Sequence, residues 1–201
     1  MSILSNIEQK LLKKRIPLTV VFEITKKCNL NCVHCYVNHL NSENELNLTE
    51  IKKLVDQLYE MGVMIIALTG GEVFLRKDIF EIIEYIRFKK MGFKIITTGT
   101  LLSYKDTDKL KEYGILDMGF SVYSHKKEIH NQITQADSFE KTIDIAKYCA
   151  KIGITTISKT PIMTINQFDI EEIHNLMISF GIIPQFDLTI TKAENNIRNS
   201  Q

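Results

Sequence analysis

The chain has 201 residues, of which 44% are hydrophobic, as expected of one globular domain with a sizeable core. Its 25 basic side chains nearly balance 24 acidic ones, so no large electrostatic field favours binding to nucleic acid or to an anionic membrane. We therefore expect the partner to be a small molecule or a peptide, with no nucleic acid and no membrane.

The sequence shows neither a signal peptide nor a run of about 18 apolar residues that would span a membrane. We expect a cytoplasmic protein with reduced thiols, in which clustered cysteines act as metal ligands or catalytic groups before they form disulfides. Residues 1–16 predict a helical extension packed on the domain, because apolar residues recur on one face beside basic ones. Contact of this helix with a membrane surface is the alternative.

The first predicted strand is PLTVVFEIT, which leads into the cysteine-rich loop KKCNLNCVHCY. The amphipathic segment LTEIKKLVDQLYEMG then predicts a helix with Thr49 as N-cap and Gly62 as its C-terminal stop, and the strand VMIIALTG follows. The residues expected on the inward face of this helix are Ile51, Leu54, Val55 and Leu58.

The next helix is predicted to begin with a capping box formed by Asp78 and Glu81. It ends before Gly92, and the strand FKIITTG follows. Its spacing of isoleucines indicates one buried face. The residues expected on that face are Ile79, Ile82, Ile83 and Ile86.

Three more units of helix and strand complete the pattern. Helices are predicted from Ser103 to Gly114, from Ser138 to Gly153 and from Asp169 to Gly181. The strands that follow them are ILDMGFSVY, ITTISKTPIM and IPQFDLTI. The sequence therefore predicts six strands that alternate with helices.

Strands that alternate with helices favour a parallel sheet covered by helices, with right-handed crossovers. A doubly wound nucleotide-binding fold would normally carry G-x-G-x-x-G after its first strand, where this chain has Cys-Asn-Leu-Asn-Cys. We therefore predict an α/β fold, a (β/α)6 partial TIM barrel of parallel strands over residues 17–201 that ends just after strand 6. In such barrels the functional site lies at the carboxyl ends of the strands.

Distinctive residues stand at four of these predicted strand ends. The cysteine loop follows the first strand, and Gly70-Gly71-Glu72 follows the second. Thr97-Thr98-Gly99 ends the third strand, and Ser121-Val122-Tyr123 ends the fourth. Because the ends of parallel strands meet at one edge, we expect these residues to converge on one site.

Cys28, Cys32 and Cys35 lie within eight positions of a chain that has only four cysteines. A structural zinc ion would need a fourth ligand, such as His34 or His39. A 4Fe-4S cluster held by three thiolates instead leaves one iron open to bind a further molecule. We favour the cluster, and we expect Cys149, on the apolar face of its helix, to be a buried structural residue.

From Pro17 to Ile190 the sequence resembles the radical S-adenosylmethionine (radical SAM) superfamily. The resemblance is carried by Cys-x3-Cys-x2-Cys together with the later Gly-Gly-Glu. It implies an enzyme in which S-adenosylmethionine binds the open iron of a single 4Fe-4S cluster. An electron from the cluster then splits the sulfonium and gives a 5′-deoxyadenosyl radical, which takes a hydrogen atom from the substrate.

The resemblance also implies roles for individual residues. The three cysteines match the cluster ligands, His34 matches a residue near the adenine, and Ser121 matches a polar position at the ribose. Three further residues, Gly70, Gly71 and Glu72, match the motif that holds the methionine amino group. Lys159 is expected to face the same mouth.

One position departs from the family pattern. Relatives commonly read Thr-Asn-Gly-Thr-Leu where this chain reads Thr-Thr-Gly-Thr-Leu, so Thr98 replaces an amide. The change removes one hydrogen-bond donor from a position expected to bind the cofactor.

Within the superfamily, segments such as LTGGEVFLRKDIFEIIEYI and FSVYSHKKEIHNQIT are most similar to peptide-modifying maturases that carry a C-terminal SPASM domain. The resemblance implies a ribosomally made peptide as substrate and a low-potential electron donor such as flavodoxin or ferredoxin. We expect this chain to lack the SPASM domain. Two alternatives stay open: modification of a tetrapyrrole side chain in the heme pathway, and a truncated remnant that binds a cluster without turnover.

Other polar residues give weaker signals. His125 and His130, after the fourth strand, are possible residues on the substrate side, whereas His174 is expected on a helix surface. Glu43 and Glu45 are expected in a solvated loop near the barrel mouth.

Overall fold

The structure is a computed structural model that describes residues 17–37 and 45–190. The predicted extension over residues 1–16, and also His39 and Glu43, lie outside the described residues. The strands are β1 (Thr19–Thr25), β2 (Ile65–Gly70), β3 (Gly92–Thr97), β4 (Met118–Ser121), β5 (Thr156–Pro161) and β6 (Ile183–Asp187). The helices are α1 (Leu48–Met61), α2 (Ile79–Phe88), α3 (Tyr104–Glu112), α4 (Lys127–Thr134), α5 (Phe139–Lys151) and α6 (Ile170–Ser179).

All six strands form one sheet in the order β1-β2-β3-β4-β5-β6, and every neighbouring pair is parallel. Helices connect the strands along the chain, which confirms the predicted partial barrel. Ser121 pairs with Lys159, and Lys159 pairs with Gln185, so these residues of three strands lie side by side. The carboxyl ends of all strands meet at one edge.

The core lies between the sheet and the helices. The four isoleucines expected on the inward face of α2 are at most 3% exposed. They belong to one continuous cluster with the alternate side chains Phe93 and Ile95 of β3. Burial of each such side chain contributes roughly 1.5–3 kcal/mol relative to its exposure. The predicted binary pattern of α2 and β3 is therefore confirmed.

The beginnings of two helices differ from prediction. Asn47, rather than Thr49, caps α1: its side chain accepts from the Glu50 N–H at 3.1 Å, and the Glu50 carboxylate accepts from the Asn47 N–H at 2.8 Å. The capping box predicted for Asp78 is wrong, since its side chain makes no capping hydrogen bond. The Arg76 guanidinium binds both oxygens of Asp78, at 2.9 and 2.7 Å, and a charged bidentate partner outcompetes a backbone amide.

The sequence prediction missed α4, which lies between β4 and α5. Ile129 and Ile133 are spaced by four residues, and Ile133 is fully buried. Eight residues give too short a periodic signal to distinguish this helix from a loop. Among the described residues, no helix combines the length and the apolar character needed to cross a membrane.

Candidate functional site

A cavity of 410 Å³ opens at the carboxyl ends of the strands. It gathers residues of the loop after β1 and of strands β2 to β6 at the edge where the sequence placed the site. Of the predicted site residues, only Glu72 does not line it. Those that do are Cys28, Cys32, His34, Cys35, Gly70, Gly71, Thr98, Ser121 and Lys159.

The three cysteines form one group of thiols at this mouth. No disulfide joins them, and Cys32 is buried whereas Cys28 and Cys35 are half-buried. Burial, reinforced by the neighbouring Cys35, raises the pKa of the Cys32 thiol to about 12, and burial also raises the pKa of Cys28. The bare Cys28 and Cys32 thiols are therefore protonated at neutral pH, and a bound metal must displace their protons.

This donor set fits a 4Fe-4S cluster with one open iron. Three soft sulfur ligands converge on the cavity, and the Leu30 N–H donates to the Cys28 sulfur at 3.4 Å. Cys149 cannot supply a fourth ligand, because it is fully buried in the core with its Sγ 3.8 Å from the Met118 Sδ. The prediction that Cys149 is a buried structural residue is confirmed.

Gly70 and Gly71 allow the cysteine loop to approach β2 closely. A Cβ atom on Gly70 would lie 2.1 Å from the Thr25 carbonyl oxygen, and one on Gly71 would lie 2.1 Å from the Lys27 carbonyl oxygen. Gly70 also has φ of +140°, which disfavours side chains. Gly71 N–H donates to Thr25 O and Glu72 N–H donates to Lys27 O, both at 2.8 Å. Gly71 and Glu72 therefore bind the end of β1 and the start of the cysteine loop through the backbone.

Glu72 lies behind the cavity wall and is fully buried. One carboxylate oxygen accepts from the Thr97 hydroxyl at 2.7 Å and from the Phe74 N–H at 3.2 Å. The other accepts from both the hydroxyl and the N–H of Thr98, at 2.6 and 2.8 Å. The carboxylate thus joins the ends of β2 and β3, and its direct contact with a methionine amino group stays a prediction.

Thr98 supplies a donor although it replaces an amide. Its hydroxyl reaches Glu72 and also lies 2.8 Å from the Thr100 hydroxyl, and its carbonyl accepts from the Thr142 hydroxyl at 2.7 Å. A hydroxyl can replace one of the donors of an asparagine amide at this short distance. The site geometry around position 98 is therefore held by a dense network.

Ser121 and Lys159 share the opposite wall of the cavity. The Lys159 ammonium donates to the Gln185 side-chain oxygen. Burial lowers the pKa of Lys159, and the nearby Lys94 acts in the same direction. The position of Lys159 at the mouth agrees with the expectation from the sequence, and its cationic group is available to a carboxylate.

His34 lies half-buried between the cysteines, and its ring meets the Tyr123 ring edge-on with centroids 4.8 Å apart. Burial lowers the pKa of His34 to about 4, so the imidazole is neutral at pH 7. Its Nδ1 is buried and has no hydrogen-bond partner within the described part of the chain.

The interpretation of the other polar residues needs two corrections. His130 is not on the substrate side: it is 1% exposed, accepts from the Tyr123 N–H and lies 3.1 Å from the Ser138 hydroxyl. Glu45 is not a solvated loop residue, because it accepts from the Thr25 hydroxyl at 2.7 Å and from the Lys26 N–H at 2.9 Å. No local sequence pattern marks contacts of this range.

The two remaining histidines lie away from the cavity. His174 is exposed on α6, as predicted. His125 groups with Asp169 and Glu172, whose ligand atoms lie within 4.8 Å of one another, but it does not line the cavity. Asp169 is already bonded to the Ser124 hydroxyl at 3.0 Å and to the Lys126 ammonium at 3.2 Å. This group therefore orders the start of α6.

Comparison with protein families gives one matching description, the Radical SAM superfamily, over residues 22–178. The Fe-coproporphyrin III synthase of Methanosarcina barkeri is 34% identical over 160 residues, which are 79% of this chain and 40% of that protein. The subtilosin biosynthesis protein AlbA of Bacillus subtilis is 30% identical over 171 residues, 83% of this chain and 38% of that protein. The chain thus spans about two fifths of the length of these relatives.

Solved structures share the fold. Streptococcus suis SuiB bound to S-adenosylmethionine superposes with a TM-score of 0.79 at 18% identity, over 97% of this chain and 47% of SuiB. SuiB bound to its precursor peptide SuiA gives a TM-score of 0.75 at 20% identity, over 89% of this chain and 42% of SuiB. The six-stranded arrangement described above is therefore that of these proteins.

Proposed function

We propose that this chain, which belongs to the radical SAM superfamily, carries the catalytic core of an enzyme that modifies a ribosomally made peptide. Members of the superfamily are enzymes that use a 4Fe-4S cluster and S-adenosylmethionine, which are the cofactors expected from the sequence. One observation carries the proposal: Cys28, Cys32 and Cys35 meet at a cavity bordered by Gly70 and Gly71.

When bound, the cluster and S-adenosylmethionine supply an electron and a 5′-deoxyadenosyl radical that removes a hydrogen atom from the substrate. The chain's own residues bind and orient these groups. The three thiolates would hold the cluster, and the backbone at Gly70 and Gly71, which line the same cavity, would bind the methionine end of the cofactor. Ser121 and Lys159 offer a hydroxyl and an ammonium from the facing wall.

Two observations support a peptide as substrate. The cavity continues along β6 past Gln185 and Asp187 to Ile190, so polar side chains and backbone line one side of an open mouth. The relatives include a protein named for the biosynthesis of the bacteriocin subtilosin, and SuiB has been solved with a precursor peptide. An extended peptide can bind backbone and polar groups of such a mouth.

A tetrapyrrole is the second candidate substrate, because the Fe-coproporphyrin III synthase is 34% identical to this chain. The same Lys159 ammonium would then meet a propionate instead of a peptide carboxylate. A low-potential flavodoxin or ferredoxin is the proposed electron donor, since clusters of this kind need a strong reductant. The cytoplasm is the proposed location, because thiols at an open mouth need reducing conditions.

Anaerobic turnover tests the proposal. The chain is reconstituted with iron and sulfide, given S-adenosylmethionine and dithionite, and assayed for 5′-deoxyadenosine. Wild type and Cys149→Ala should form the product, whereas Cys32→Ala should not. If the cluster-loaded wild type forms no 5′-deoxyadenosine, the remaining interpretation is a truncated remnant that binds a cluster without turnover.

Co-expression identifies the substrate class. A candidate precursor peptide is produced with the wild type and with Cys32→Ala, and its mass is compared between the two. A mass change that depends on Cys32 supports peptide modification. Conversion of a tetrapyrrole by a chain that leaves every candidate peptide unchanged would favour the second candidate.

A further inference from the structure

A phenol lies directly beside the cysteine loop. Tyr123 follows β4, is only 6% exposed and lines the cavity together with the cysteines. It packs with Cys32 and Ile133 in a small buried group against which Cys28 and Cys35 also lie. The sequence places a tyrosine at this strand end but gives no reason to connect it with the thiols.

Contacts on both sides fix the orientation of Tyr123. Its N–H donates to His130 Nδ1 at 3.3 Å, and its carbonyl accepts from the Asn166 side chain at 2.9 Å. The ring stacks on His130 with centroids 5.4 Å apart and meets His34 edge-on at 4.8 Å. Held in this way, the Tyr123 ring packs beside Cys32 at the wall of the cavity.

We propose that the Tyr123 hydroxyl donates a hydrogen bond to the Cys32 thiolate of the bound cluster and raises the reduction potential of that cluster. The inference rests on the proposed function, since it requires the cluster to be held by these cysteines. Hydrogen bonds to the sulfur ligands are one of the levers that set cluster potentials, because they withdraw negative charge from the metal centre. Tyr123 would act through the Cys32 sulfur and is therefore a positioning residue.

The surroundings make such a donor useful. The Glu72 carboxylate is close enough to Cys28 for its negative charge to act on that sulfur, and negative charge makes a cluster harder to reduce. The Tyr123 hydroxyl acts on the Cys32 sulfur and has the opposite effect on the reduction potential. A negative charge thus acts on the Cys28 ligand, and a hydrogen-bond donor acts on the Cys32 ligand of the same cluster.

Tyr123→Phe removes the hydroxyl and keeps the ring contacts. Wild type and variant are reconstituted anaerobically, iron is counted, and the midpoint potential is measured by a dye-mediated titration followed by electron paramagnetic resonance. We expect equal iron and a more negative potential in the variant. Tyr148→Phe is the matched control, because its hydroxyl donates to Asp108 at 2.9 Å, away from the cavity. It should keep the wild-type potential.

Equal potentials in wild type and Tyr123→Phe, at equal iron, overturn the inference and leave the proposed function intact. A wild type that takes up no iron-sulfur cluster overturns both. The two failures are therefore distinguished by the iron count of the wild type alone.

A second measurement does not depend on the potential. In the reduced wild type, electron-nuclear double resonance should show a strongly coupled proton at the Cys32 ligand that disappears in D2O. The Leu30 N–H near Cys28 also exchanges, so the decisive quantity is the difference between wild type and Tyr123→Phe. Tyr148→Phe should give the wild-type spectrum, and identical spectra in all three proteins contradict the proposal.

Discussion

The two sides of the cavity mouth are built in different ways. On the β1 to β3 side, backbone meets backbone: Gly71 donates to the end of β1, Glu72 donates to the cysteine loop, and the Glu72 carboxylate accepts four hydrogen bonds. On the β5 to β6 side, alternate residues of the edge strand β6 are exposed, and the Lys159 ammonium donates to the side chain of its strand partner Gln185. We propose that the first side holds the cofactor and that the second receives the substrate.

Removal of a cluster ligand should have the largest effect on the ordered side. Cys28→Ala, Cys32→Ala and Cys35→Ala should each lose the brown colour and nearly all of the bound iron, because a 4Fe-4S cluster needs all three thiolates. Iron and sulfide are counted after anaerobic reconstitution, and the wild type should hold about four irons per chain. Cys149→Ala should keep its iron. Zinc as the only metal bound after this treatment would disprove the assignment.

Gly71→Ala tests whether backbone contact orders the cysteine loop. The new Cβ would lie 2.1 Å from the Lys27 carbonyl oxygen, so the loop must move. We expect the loss of most cluster iron and a decrease of about 1–3 kcal/mol in the free energy of unfolding of the apoprotein. Gly181→Ala is the control, since nothing lies within 4 Å of its Cβ position and only its positive φ opposes the change. It should cost roughly 1 kcal/mol and keep its iron.

Acid should destabilise the packing around His130, which lies against Tyr123 and the start of α5. Burial lowers the pKa of His130 to about 4, against about 6.5 in the unfolded chain. Between these two pH values the imidazole is therefore protonated in the unfolded state and neutral in the folded state. This contribution is fully present above pH 6.5 and is lost as the pH falls from 6.5 to 4. At pH 4 the resulting loss in the free energy of unfolding amounts to about 3 kcal/mol. Denaturant unfolding of the apoprotein measures it.

His130→Gln isolates that contribution from the carboxylates, which also titrate at low pH. The variant should be less stable at pH 7, because a buried imidazole with two polar contacts is replaced. Between pH 6.5 and 4 it should lose less stability than the wild type. An equal loss in both proteins would assign the acid sensitivity to other groups.

Glu72→Gln separates a structural role of this carboxylate from a role in cofactor binding. Both carboxylate oxygens accept hydrogen bonds, so the NH2 group of a glutamine would face at least one of the donors that now bind the carboxylate. We expect the apoprotein to lose roughly 1–3 kcal/mol of stability. An unchanged stability together with weaker binding of S-adenosylmethionine would instead support direct contact with the amino group.

The fold was predictable because its signals are repeated along the chain. Each helix of the predicted pattern carries one apolar face, and the β-branched runs between them give the six strands in order. The exceptions are local: α4 is too short for a clear period, and the Asp78 cap is lost to Arg76, whose partners include the distant Ile24 carbonyl. Arg76 is only two residues from Asp78, but the Ile24 carbonyl that also binds its guanidinium is 52 positions away, and a contact of that range is invisible in a local pattern.

The site was predictable only in part. Strand ends and cysteine spacing located the mouth, because both are properties of the chain order. The sequence suggested that Glu72 faces the cofactor, but its four donors come from residues up to 26 positions away. The same holds for Tyr123, whose position beside Cys32 depends on how β4 and the cysteine loop pack. Such contacts follow from the fold and not from a motif.

The open side should tolerate change with the smallest effect on stability. Lys159→Met removes the ammonium and keeps much of the aliphatic stem, so the free energy of unfolding should change by no more than about 0.5 kcal/mol. Binding should nevertheless weaken, because a half-buried ammonium bound to Gln185 is well placed to meet a carboxylate of S-adenosylmethionine or of the substrate. Titration of the cluster spectrum with S-adenosylmethionine measures binding of the cofactor, and a peptide-binding assay measures binding of the substrate. Gln185→Met, which removes only the partner of Lys159, is the control and should leave cofactor binding near the wild-type level. A large loss of stability in Lys159→Met would show that the β5 to β6 side is as firmly tied as the cysteine side.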